Sequence, residues 1–141
     1  MTLDEPVCRA RFAASPVARL ATLNVDGTPH LVPVTFAVLG HVIVVAVDHK
    51  PKTTTRLRRL RNIAENPTVC VIVDHYSDDW SALWWVRADA RAEVVEAGAG
   101  WHTGVDALVA KYDQYQQVPP TGPVIRAVVT RWSGWAYSES A

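Results

Sequence analysis

Six basic side chains fall within twelve residues, Lys50, Lys52, Arg56, Arg58, Arg59 and Arg61, with no acid among them. Across all 141 residues, 14 Lys and Arg balance 14 Asp and Glu, so the cluster is a local field in a chain of zero formal charge. Chemistry that needs such a field is anion binding. Lys50 and Lys52 precede a segment with helical spacing, and Arg56 and Arg59 stand three apart, on one face near its start. A helix start already offers free N–H groups and partial positive charge. Threonine hydroxyls at 53–55 and basic side chains there make a phosphate socket. The same residues also fit a solvated basic face. Nucleic acid fits less well, because the chain as a whole is not basic and no aromatics interleave with the arginines.

Aromatic residues are the second candidate group. Trp80, Trp84 and Trp85 fall within six residues. On a strand, Trp84 and Trp85 point to opposite faces, so one packs in the core while the other, assigned here to Trp85, lines a pocket or a subunit interface. Plain core packing is the competing reading, and Trp132 and Trp135 are read the same way. The histidines, His30, His41, His49, His75 and His102, show no HxH or HExxH spacing, so no metal site is expected. His30 could face a cofactor or simply be a satisfied histidine. Cys8 and Cys70 lie in no CxxC pair and read as two small buried hydrophobes. Rossmann and P-loop motifs are absent, and no Ser-His-Asp or Cys-His arrangement can be argued from spacing.

The elements that must position these residues are mostly strands. Thr2-Leu-Asp-Glu5 reads as a capping box opening a helix over 3–14, which Ser15-Pro16 ends. A strand over 17–23 leads to Asn24-Val-Asp-Gly27, a hairpin signal. A second strand over 28–39 carries Pro29 and Pro33, which imply an edge or a bulge because each removes a ladder hydrogen bond. A third strand covers 41–48. Threonines then cap a helix whose thin apolar stripe is Leu57, Leu60, Ile63 and Ala64 and which Asn66-Pro67 stops. Strands over 68–74 and 83–96 follow, then a helix over 103–112 with Val105, Leu108, Val109 and Tyr112 on one face, a loop over 114–123, and a last strand over 124–137. Sequential strands with tight turns pair antiparallel, and the helices are too few for a doubly wound sheet. A mainly β (α+β) barrel of six or seven antiparallel strands with peripheral helices fits best, as one domain over 1–141. No apolar run approaches the roughly 20 residues of a membrane helix, and acids stand where a signal peptide would carry positive charge; the expected location is the cytoplasm.

The ordered set Arg19-Leu-Ala-Thr-Leu, Asp26-Gly-Thr-Pro-His-Leu-Val-Pro-Val, Arg61-Asn-Ile-Ala-Glu-Asn-Pro and Val69-Cys-Val-Ile-Val-Asp resembles the pyridoxamine-phosphate-oxidase-like superfamily. The Lys-Pro-Lys…Arg-Leu-Arg-Arg-Leu-Arg-Asn run and Asp-Trp…Leu-Trp-Trp-Val-Arg-Ala-Asp resemble its actinobacterial branch of coenzyme F420-dependent oxidoreductases. The resemblance implies an FMN-binding-like split β-barrel and a homodimer with two cofactor sites between subunits. It implies that Arg59, where relatives commonly have lysine, holds the cofactor phosphate; arginine keeps the charge and adds bidentate geometry. Lys50, Lys52 and Arg56 would help to hold an anionic tail. The strand from His30 through Pro33, Val34 and Thr35 would run under the ring, with Trp85 a further contact. The implied activity is hydride transfer from the deazaflavin F420 to a small organic substrate. An FMN-dependent oxidase of the same fold and a non-catalytic flavin-binding protein are the alternatives.

Overall fold

A computed structural model describes residues 1–47, 54–139 and 141, with residues 54–57 described by backbone alone. Lys50 and Lys52 therefore lie outside the described residues, as does the side chain of Arg56.

The N-terminal helix α1 (Glu5–Ala14) starts later than the sequence suggests. Thr2 is not its cap: Thr2 bridges to Trp135, and the Leu3 N–H donates to the Gly134 carbonyl. With that backbone committed to a strand, the helix begins where Asp4 accepts the Val7 N–H at 3.1 Å, an equally good cap. Pro6 fits the first turn, where no intrahelical N–H is needed.

Seven strands form one antiparallel sheet: β1 (Ala18–Leu23), β2 (Pro29–Val34), β3 (Phe36–Leu39), β4 (Val42–Ala46), β5 (Thr68–His75), β6 (Trp84–Val95) and β7 (Val124–Ala136), in the order β2-β1-β5-β6-β7-β4-β3. The β1–β2 hairpin turns at Gly27, whose φ of 85° suits glycine. Asp26 accepts both the N–H and the hydroxyl of Thr28, which holds its carboxyl below the usual range. The strand expected over 28–39 is two strands. Thr35 alone separates β2 from β3, yet these are the opposite edges of the sheet. The sheet must curl to bring its edges to one residue, and the Ala46 N–H donating to the Thr35 carbonyl at 3.1 Å marks the meeting. The result is a curled half-barrel with helices around it, the split barrel expected. Pro29 and Pro33 lie on β2, where the lost donors break no interior ladder.

Alternating residues fill the barrel. Leu20, Phe36, Ile43, Val71, Val86 and Ile125 are fully buried. Phe12 of α1 plugs one side, edge-on to Phe36 and Trp132 at 5.0 and 5.3 Å between centroids. Trp84 packs inward beneath the Arg11 guanidinium, 5.3 Å from its ring centroid, while Trp85 lies on the outer face. Cys8 is buried, whereas Cys70 is half-buried on the outer face, not a core residue, and burial there raises its thiol to about 11.

A second, smaller core sits under helix α3 (Ala99–Lys111), where Val105 and Leu108 meet Val44 and Val124. This helix begins four residues before the expected Thr103. The stretch expected as a loop contains the short helix α4 (Asp113–Gln117). A single 3-10 turn, Trp80–Ala82, precedes β6. Helix α2 (Thr54–Glu65) buries Ile63 and packs Leu60 on the core as the apolar stripe suggests, but Arg59 and Asn62 are buried as well and Ala64 is exposed. Thr54 and Thr55 lie within it rather than at its cap. Among the described residues no helix is long and apolar enough to cross a membrane.

Candidate functional site

The site is built around one polar anchor. Asn62 is 2% exposed, and its amide donates to Thr22 Oγ1 and Asn24 Oδ1, both at 3.0 Å. Thr22 is equally buried, so the two bonds satisfy polar groups that water does not reach. They pin α2 across the end of β1. Three residues earlier on the same face, Arg59 is carried inward and is only 8% exposed.

Arg59 lines a cleft of about 380 Å³ together with Pro33, Val34 and Thr35 of the β2–β3 junction. Val17, Ala46 and Tyr115 complete its walls. Four of the residues expected at a cofactor thus converge. The junction is also where the sheet edges meet, so the curl of the barrel makes the cleft. Thr35 Oγ1 and Tyr115 Oη are 2.7 Å apart. Beside them, the Tyr112 hydroxyl accepts the Phe36 N–H at 3.0 Å and stands 2.9 and 3.0 Å from the carbonyls of Pro16 and Phe36. Burial raises the Tyr112 phenol above its usual range, so it stays protonated near neutrality.

His30 lies on the same face of β2 as Val34 and pairs across the hairpin with Thr22. Its Nδ1 is buried with no hydrogen-bond partner. Burial, then the charges of Arg58 and Arg59, hold the imidazole below its ordinary 6.5. His30 is therefore close to the arginines without lining the cleft.

Arg58 and Arg61 face elsewhere. Arg58 and Arg61 are exposed and, with Asn62, line an open cleft of about 480 Å³ against the hairpin residues Asn24, Asp26 and Thr28. Trp85 is not brought to either cleft within one chain. It pairs across the sheet with Asp74 and Trp135 on the outer face, with the Arg87 guanidinium 5.7 Å from its ring centroid.

Sequence reasoning missed Tyr115, Val17 and the structural part of Asn62. No local pattern marks Tyr115, because Tyr112, three residues earlier, is extended between α3 and α4 and the two share no helical side. For Asn62 the available signal was a polar residue set between the apolar Leu60 and Ile63.

A family model described as "Pyridoxamine 5'-phosphate oxidase" matches residues 5–136. No curated protein matches the chain significantly. Among solved structures, a conserved hypothetical protein from Mycobacterium tuberculosis is similar with a TM-score of 0.77 and 22% identity, over 96% of this chain and 86% of that one. An FAD-binding protein from Mesorhizobium loti gives 0.72 and 23%, over 95% of both chains. A heme-binding protein from Mycobacterium smegmatis gives 0.68 and 20%, over 92% of this chain and 56% of that one. At these identities the likeness is one of fold.

Proposed function

Because the chain belongs to the pyridoxamine 5'-phosphate oxidase family, we propose that it is an oxidoreductase that binds a phosphate-bearing flavin or deazaflavin in the cleft between Arg59 and the β2–β3 junction. The observation that carries this reading is the buried Arg59 guanidinium beside Pro33, Val34 and Thr35. A guanidinium lining that cleft offers a phosphate charge and bidentate geometry. The residues fit the group: an extended backbone for the ring, a guanidinium for the phosphate, and Val17 and Ala46 as apolar walls. When bound, such a cofactor supplies hydride transfer. The protein holds the phosphate, shields the ring from water and orients it. No catalytic residue is assigned.

The finer reading is coenzyme F420. Arg58 and Arg61 line a further basic cleft beyond the one Arg59 serves, and a long anionic tail profits from such additional cations. The second reading is FMN or another flavin, favoured by the FAD-binding protein among the structural neighbours.

The proposed assembly is a homodimer. On the outer sheet face Trp85 and Trp135 pair across strands, and Ser133 Oγ is buried without a hydrogen-bond partner. These groups suit burial against a second copy.

Fluorescence titration of the full chain with oxidised F420, FMN and FAD tests the reading. Saturable micromolar binding of F420 with weak flavin binding supports the deazaflavin assignment. Preference for FMN or FAD moves the protein to the flavin branch. Binding of none of the three overturns the proposal.

A further inference from the structure

We propose that a second cleft, on the other side of Tyr115, receives a neutral planar carbonyl compound whose oxygen accepts a hydrogen bond from the Tyr115 hydroxyl. The cleft has a volume of about 490 Å³ and is lined by Pro16, Val17, Thr35, Tyr112, Gln114 and Tyr115. That is within the roughly 300–1,000 Å³ typical of small-molecule sites.

The hydrogen-bond inventory selects the chemistry. The Tyr112 hydroxyl is occupied by backbone groups of Pro16 and Phe36, so Tyr112 presents only its ring. Among the described residues, the Tyr115 hydroxyl has one hydrogen-bond partner, the Thr35 hydroxyl. A phenol and an alcohol each donate one proton. When Thr35 donates to Tyr115, the phenolic proton is left to point into the cleft. A carbonyl oxygen is the acceptor that completes this chain.

Among the described residues, the lining carries no charge. None of the six wall residues is ionised near neutral pH. Lys111, next to Tyr112 in the chain, has its ammonium on the Ser15 carbonyl at 2.7 Å and over the Phe36 ring at 3.7 Å. A charged ligand would lose hydration with no partner to replace it. Flat aromatic walls and one donor suit a quinone or another conjugated carbonyl compound.

Position supplies the role. Val17, Thr35 and Tyr115 line both this cleft and the one assigned to the cofactor. A ligand here abuts whatever occupies the other. Its identity as the electron acceptor rests on the oxidoreductase reading, whereas its binding does not.

The test is isothermal titration calorimetry of the full chain without cofactor, using menadione and a sulfonated naphthoquinone as probes. Expected are saturable menadione binding and at least tenfold weaker binding of the sulfonate. Tyr115→Phe keeps the ring and removes the donor, and menadione binding should weaken about 5–10-fold, the scale of one hydrogen bond. Gln114 is exposed and lines the second cleft but not the cofactor cleft, so Gln114→Trp should fill the second cleft and block menadione while leaving the fold intact. Equal menadione affinity in all three proteins, no saturable binding, or equal binding of the sulfonate overturns the proposal. Cofactor titrations on the same proteins separate the two readings. Tyr115-dependent menadione binding without flavin or F420 binding sinks the oxidoreductase assignment alone. Cofactor binding without menadione binding sinks the second cleft alone.

Discussion

Arg59 differs from Arg58 and Arg61 in burial rather than in chemistry. All three are arginines of one short run, but of them only Arg59 is buried, and it lines the cleft at the β2–β3 junction. Arg59→Ala should weaken binding of the cofactor by about 1–3 kcal/mol, and Arg59→Lys by less, because lysine keeps the charge and loses the fork. Unchanged titration curves in the alanine variant would rule out the phosphate role. His30 makes a prediction of its own. Its folded pKa lies below the ordinary 6.5, with burial the main cause. Above pH 6.5 both folded and unfolded chains carry it neutral, and it adds no pH dependence. As pH falls below that value the unfolded chain takes the proton first, so stability declines until the folded pKa is passed. The lowered carboxyls of Asp26 and Asp79 act only below 3.8, so they do not confuse this window. Melting temperatures between about pH 7 and about pH 4.5 should fall less in His30→Gln than in the parent. Parallel declines would show that His30 is not responsible. Both residues stood out in the sequence as candidates. Tyr115 did not, because nothing in its neighbours announces that Thr35, 80 positions away, will meet it.

Helices are held to this barrel by a few polar or close contacts, and those contacts set where functional side chains point. Helix α2 depends on Asn62. Asn62→Ala should cost about 1–3 kcal/mol, because Thr22 and Asn24 lose their buried partner. It should also weaken cofactor binding, because Arg59 rides on the same helix. Chemical denaturation and cofactor titration on one preparation check both; a stability loss with unchanged cofactor affinity would separate Asn62 from the site. Helix α1 depends on closeness instead. A Cβ at Gly134 of β7 would stand 2.6 Å from Cys8 Sγ and 3.2 Å from the Leu3 side chain. Gly134→Ala should therefore destabilise by about 1–3 kcal/mol, the cost of overpacking. Adding Cys8→Ala should recover part of that, a coupling that a double-mutant cycle reads directly. Additive losses would place the strain elsewhere. Helix α2 also shows why its face was misread. The apolar stripe suggested that Ala64 packs inward, yet the helix lies over the polar end of β1, so Arg59 and Asn62 take the buried positions.

At the scale of the whole molecule, the outer sheet face is the surface left to explain. Sedimentation equilibrium should give about twice the 15.5 kDa chain mass. Ile72 is half-buried on that face, between Arg19 and Arg87 across the strands, so Ile72→Glu should shift the protein to monomer without unfolding it. A monomeric parent protein would overturn the homodimer. The sequence alone determined the strand-rich class, the hairpin at Asp26-Gly27, an edge or bulge at the proline-bearing strand and the basic run as an anion-binding candidate. Each of these follows from local rules: residue period, turn chemistry, a missing N–H, charge density. Only the tertiary structure decided that the proline-bearing strand breaks at Thr35, that Arg59 is buried while Arg58 and Arg61 are exposed, and that Tyr115 closes the cleft beside Arg59. Those outcomes depend on the sheet curling until its edges meet. That closure brings together residues far apart in the chain, and no local pattern encodes which of them will touch.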